Sequence, residues 1–127
     1  MKVLSLATRE RTQFINITRA VQDAACELQL RDGTVTVFVP HTTAGVTINE
    51  QADPDVMTDL STHLEQRVPA HAGYRHGEGN SAAHIKASLM GSSVQLLVRD
   101  GRLQLGTWQG IYFCEFDGPR PREVWVG

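Results

Sequence analysis

Cysteine and lysine are both scarce in this chain of 127 residues, with two of each. Cys26 and Cys114 lie far apart and form no C-x-x-C spacing, which excludes a disulfide framework and a thiolate-rich metal cluster. Each follows apolar neighbours, Ala24-Ala25 and Tyr112-Phe113, so both are predicted to be buried free thiols. With Lys2 at the start, Lys86 is the one internal amine available for chemistry. Charge of one sign is also missing. Twelve Lys plus Arg stand against fourteen Asp plus Glu for a net charge of -2, which gives no general pull toward polyanions and argues against bulk nucleic-acid binding. No apolar run reaches membrane-spanning length, and the start, Met1 to Arg9, becomes charged too early for a secretory apolar region. No membrane partner is expected, and a cytoplasmic location follows. Internal repeats and low-complexity tracts are absent as well. What is present, 41% hydrophobic and 20% charged residues, suits one folded domain over 1–127.

Alternation of apolar residues predicts strands over Val3–Thr8 and Gln13–Thr18, separated by a polar turn that suggests a hairpin. Val21, Ala24, Ala25 and Leu28 then repeat at helical spacing behind Thr18 as N-cap, and the helix ends before Gly33. Strands follow at Thr34–Val39 and around Val46–Asn49. Asp53-Pro54-Asp55 opens a second helix, with a capping acid, a proline at the first position and a further acid favoured by the helix dipole. Its inward stripe is Val56, Met57, Leu60, Leu64 and Val68. Ala70–Gly79 has no apolar period and reads as a loop. Ser81 caps a third, short helix that Gly91 stops. Asp100-Gly101 marks a tight hairpin between Val94–Arg99 and Arg102–Leu105, because a type I′ turn needs positive φ twice. Strands at Ile111–Phe116 and Arg122–Val126 finish the chain. This order predicts an α+β fold of packed antiparallel β-sheets, sandwich-like, with about three helices.

Three groups of polar residues resist a packing explanation: His41-Thr42-Thr43 with Asn49-Glu50, then Asp53 and Asp55, then Tyr74 through Asn80, His84 and Lys86. His41 ends an apolar strand, where functional groups gather. His76 and His84 meet only if the glycine-rich loop folds back over the third helix. Two or three imidazoles with a carboxylate would suit zinc or a similar divalent ion. Lys86, with Arg75 and the N–H groups at Asn80-Ser81, is either a phosphate site or a solvated helix face. Glu50 is either a desolvated general base or a surface acid. His63 and His71 read as solvated bystanders. Gly106-Thr107-Trp108-Gln109-Gly110 interrupts a strand with glycines, and its Trp108 either fills the core or walls a pocket or subunit contact, with Gln109 as a polar partner. Asp117-Gly118-Pro119-Arg120 reads as a turn with an exposed Arg.

Taken together, His41-Thr-Thr-Ala-Gly, Asn49-Glu50, Asp53-Pro54, His76 with Asn80, Ala83-His84-Ile-Lys86, Gly106-Thr-Trp-Gln109 and Glu115-Phe-Asp-Gly-Pro-Arg120 resemble the YjbQ-like proteins, also called the secondary thiamine-phosphate synthase family. The resemblance runs from the first strand to the last. It implies a homotrimer of small α+β chains with a polar pocket near a subunit boundary, a phosphorylated small-molecule ligand, and a weak thiamine-phosphate synthase activity, either the main reaction or a side reaction. Residue by residue it places Glu50, His41 and Lys86 in catalysis and Thr42, Asn49, Asp55, Asn80 and Gln109 in ligand binding. His76, His84 and His41 would hold a divalent metal, zinc or magnesium. Two other readings compete: a non-catalytic trimeric module that binds a metal or metabolite through the same residues, and a metal-assisted phosphate hydrolase.

Overall fold

A computed structural model describes residues 1–127. Eight strands and three helices follow one another as β1 (Lys2–Ala7), β2 (Gln13–Asn16), α1 (Thr18–Glu27), β3 (Gly33–Phe38), β4 (Ala44–Glu50), α2 (Pro54–Arg67), α3 (Ser81–Met90), β5 (Ser93–Arg99), β6 (Arg102–Leu103), β7 (Gln109–Glu115) and β8 (Pro121–Val126). They form two antiparallel sheets, a five-stranded one ordered β1-β8-β3-β5-β6 and a three-stranded one ordered β2-β7-β4. The α+β class and the three helices are as the sequence predicts. No helix is long and apolar enough to cross a membrane.

Layering explains the burial patterns. On the five-stranded sheet Val35 and Val37 of β3, Leu96 and Val98 of β5, and Val124 and Val126 of β8 face inward at alternate positions. They meet Val46 of β4, Ile111 and Phe113 of β7, and Val21 and Ala24 of α1 in one core. The other face of β7 carries Tyr112 and Cys114, which pack with nearby Phe116 on Met57 and Leu64 of α2 and Ala83 and Ala87 of α3. Strand β7 is thus covered on both faces, and its apolar residues run on without alternating.

Five local expectations need correction, and the simplest is Ser81, which is the first residue of α3 behind Asn80 rather than its cap. The first two strands are not a hairpin: β1 pairs with β8 and β2 with β7, so the chain changes sheets between them. Thr18 is the first helical residue rather than the cap, and Asn16 Oδ1 accepts both its N–H and its hydroxyl. Cys26 is exposed, since it follows the buried pair Ala24-Ala25 on a helix that turns about 100° per residue and so carries it past the inward face. Trp108 is 62% exposed and fills no core. By contrast Asp53 caps α2 as expected, accepting from the Asp55 N–H at 2.9 Å, and Asp100 and Gly101 both take positive φ.

Candidate functional site

The link from β3 to β4 carries His41, Thr42 and Thr43 from the larger sheet to the smaller, so His41 sits where the chain crosses between layers. Helix α3 packs on β4 at the same end. A Cβ on Gly45 would stand 2.6 Å from the Gly91 carbonyl, so only glycine lets the end of α3 come this close. That contact brings His84 and Ser88, one helical turn apart, to face the His41 loop. The loop before α3 then folds back over its start and adds His76 and Glu78. A polar cleft of about 420 Å³ results, lined by His41, Thr42, His76, Asn80, His84 and Arg120 among others, and an adjoining hollow continues past His41 and His84 to Ser88 and Ser92.

Beneath the cleft lies a charge pair that the sequence reading overlooked. Glu115 is fully buried and Arg122 nearly so. Arg122 Nε donates to Glu115 Oε2 at 2.8 Å and its Nη2 to the other carboxylate oxygen, while Nη2 also reaches Thr43 Oγ1 at 2.8 Å. Thr8 Oγ1 and the Asp117 N–H complete the carboxylate's partners. Burial by itself would raise the Glu115 pKa, but the hydrogen bonds from Arg122, the Asp117 N–H and Thr8 outweigh it and hold the carboxyl below its ordinary value. A signal existed for Arg122: it shares parity with the inward-facing Val124 and Val126 along β8. Gly118 closes over the pair, with no room for a Cβ against the Glu10 carbonyl, Thr8 and Glu115.

This brace fixes His41. The Glu123 N–H donates to His41 Nε2 at 2.9 Å, so the neutral ring carries its proton on Nδ1, the nitrogen left for a ligand. Burial lowers the His41 pKa, and the Arg122 charge behind it lowers it further. Asn80 is held by Nδ2, which donates to Asp117 Oδ2 at 2.9 Å, and Arg120 pairs with the same carboxylate. Asn80 Oδ1 is buried without a donor, an acceptor that a ligand could satisfy.

The His76 and His84 rings stand edge to face with centroids 5.3 Å apart. Zn–N bonds of ~2.1 Å would let imidazoles at such a spacing share one ion. His41 does not join them as a third ligand, because no three His, Cys, Asp or Glu side chains come together in a metal-holding group. The fit is therefore to two imidazoles, with the remaining positions open to water or to oxygens of a ligand.

Other expected site residues lie elsewhere in the chain. Lys86 does not face the cleft. It is buried between α3 and α2, where it pairs with the half-exposed Glu65, because it stands two residues from His84 on a helix and so points to another face. Neither the phosphate site nor the solvated face describes it. Asn49, Glu50 and Gln109 sit at the far end of β4, where Glu50 pairs in register with Gln109. About 20 Å of strand separates them from the histidines. There the Asn49 and Glu50 side chains accept from the backbone N–H groups of Glu50 and Asp53, and Gln109 Oε1 accepts from the Gly106 N–H. Asp55 is exposed in the first turn of α2. The sequence expectation of imidazoles and an acid meeting in one cleft thus holds within a single chain for the imidazoles and fails for Glu50, the acid beside them being Glu78. Buried Cys114, its pKa pushed up to about 12 by desolvation, is an inert thiol.

The family model described as "UPF0047 protein YjbQ-like" matches residues 2–127. The chain belongs to this family. It is 49% identical to the UPF0047 protein YugU of Bacillus subtilis over 127 residues, covering 99% of this chain and 96% of that one. A UPF0047 protein of Methanocaldococcus jannaschii is 48% identical over 121 residues, covering 95% and 88%. Among solved structures, a YjbQ/UPF0047 family protein of Clostridium acetobutylicum superposes with a TM-score of 0.98 at 56% identity, covering 100% of this chain and 98% of that one. A conserved hypothetical protein of Thermus thermophilus gives a TM-score of 0.92 at 48% identity, with coverage of 100% and 98%. This YjbQ-like chain therefore shares its whole architecture, with no added or missing layer, with its structural relatives.

Proposed function

We propose that the cleft of His41, His76 and His84 is an enzyme site for a phosphorylated small molecule, with the thiamine-phosphate synthase activity that the family resemblance implies. The observation that carries this reading is the convergence of three imidazoles from separate parts of the chain in one polar cleft. Imidazoles exchange protons near neutral pH, and no packing role calls for three of them together. Joining a pyrimidine methyl diphosphate to a thiazole phosphate forms a C–N bond as the C–O bond to pyrophosphate breaks, so the site must hold concentrated negative charge. His41 offers Nδ1–H, Arg120 offers the part of its guanidinium that Asp117 leaves free, and Asn80 Oδ1 accepts a ligand donor. His76 and His84 would hold the divalent ion, as two imidazoles suit zinc better than magnesium, and such an ion draws charge from the leaving oxygens when bound. The chain would work as a homotrimer with the cleft near a subunit boundary. Support for assembly comes from the outward-facing apolar residues Val3, Phe38 and Leu97 on the five-stranded sheet, surface that a partner would cover.

A second reading is a binding module without turnover. It is favoured by one observation: Lys86 and Glu50, the expected amine and base, do not reach the cleft within the chain. Assays with the two thiamine precursors separate the readings. Turnover by the wild type that falls by about tenfold or more in His84→Ala supports the enzyme. Equal rates in both proteins overturn it, and saturable binding of the precursors without turnover in the wild type establishes the module.

A further inference from the structure

A second cavity, of about 530 Å³, opens at the end of the three-stranded sheet remote from the histidines. Its size is in the range of small-molecule sites. Asn16, Thr18 and Arg19 wall it where β2 turns into α1, Gln22 stands one turn further along, and Gln51 closes the side beyond β4. Leu103 and Leu105 give it an apolar floor.

Backbone groups fix how each amide points. Gln22 Oε1 accepts from the Leu103 N–H, and its Nε2 donates to the Gly101 carbonyl. Gln51 Nε2 donates to the Gln109 carbonyl, and its Oε1 accepts from Asn16 Nδ2. Asn16 Oδ1 is filled by the N–H and hydroxyl of Thr18. These bonds leave one amide N–H unused on Asn16 and one on Gln51. Arg19 is the one charged lining residue, and its link to Asp23 is long, at 3.4 Å, between two exposed side chains. Such a pair contributes little, so most of the guanidinium is free.

We infer that this cavity binds small organic carboxylates with an apolar body. The carboxylate takes the fork of Arg19 and the spare N–H groups of Asn16 and Gln51, and the apolar body lies on Leu103 and Leu105. The inference is independent of the function proposed for the histidine cleft. Preoriented donors around one cation select an anion, and the leucine floor selects a carboxylate with hydrocarbon attached over inorganic anions.

Benzoate is the test probe, with benzamide and benzylamine as neutral and cationic controls of the same shape. Nitrogen-resolved NMR of the assembled wild-type protein should show saturable shifts of the Asn16 and Gln51 side-chain amides with benzoate and not with either control. In Arg19→Gln, an exposed substitution that leaves the fold intact, benzoate should bind about threefold more weakly, the loss expected for one contact to an exposed cation. Absence of saturation, as when a second copy of the chain covers the cavity, overturns the inference. So does an equal response to all three probes, or unchanged binding in Arg19→Gln.

Discussion

The two ends of the three-stranded sheet differ in what the fold does with their polar groups. At the end where β4 begins and β7 finishes, charge is buried: Glu115 and Arg122 satisfy one another beneath the sheet, and histidines are left facing a cleft. At the other end, amides and acids spend most of their hydrogen bonds on neighbouring backbone and on one another, so that Asn16 and Gln51 keep one N–H each, and no charge is buried. A functional site needs polar groups whose hydrogen-bonding capacity is not consumed by the fold, and the sequence does not report that consumption.

The contrast breaks most sharply through Arg122. Arg122→Met leaves Glu115 buried and unpaired and is expected to cost about 3–5 kcal/mol, read from urea unfolding. Sign follows from the carboxyl. Folded Glu115 holds its proton less readily than in the unfolded chain, so its contribution is present above the ordinary carboxylate value near 4.5 and is lost as pH falls below that through the folded value. In Arg122→Met, burial dominates, and the same acid titration should now favour the fold. Gly118→Ala, which forces a Cβ into the Glu10 carbonyl, Thr8 and Glu115, should cost about 1–3 kcal/mol in the same assay. At the amide end Gln51→Ala removes two partly exposed hydrogen bonds and should cost about 1 kcal/mol. Smallest is Lys86→Met. The half-exposed Glu65 stays solvated and the methionine fills the stem's place, so stability should change by less than about 1 kcal/mol, with histidine-cleft binding unaltered.

Much of the fold was legible because local chemistry decided it. Asp53 with Pro54 set the start of α2, Asp100-Gly101 set the hairpin, and the Val35–Val37 alternation set an inward face. Pairing was not legible: β1 and β2 are neighbours in sequence and belong to different sheets, because partner choice depends on residues a hundred positions away. Of the site, the imidazoles at 41, 76 and 84 were found and their convergence was anticipated. Lys86 and Glu50 were joined to them because both are chemically apt. Helical phase carries Lys86 to the α2 side of its helix, and strand length carries Glu50 to the far end of β4. Arg122 went unnoticed since a turn-adjacent arginine looks solvated until its parity with Val124 and Val126 is considered.

The five histidines supply an internal control for the central claim, that His41, His76 and His84 form one ligand site. Their imidazole signals can be followed by NMR while inorganic phosphate is titrated into the wild-type protein. Saturable shifts of His41, His76 and His84, with exposed His63 and His71 stationary, are the expected result. Equal shifts of all five, or none at the three, would contradict it.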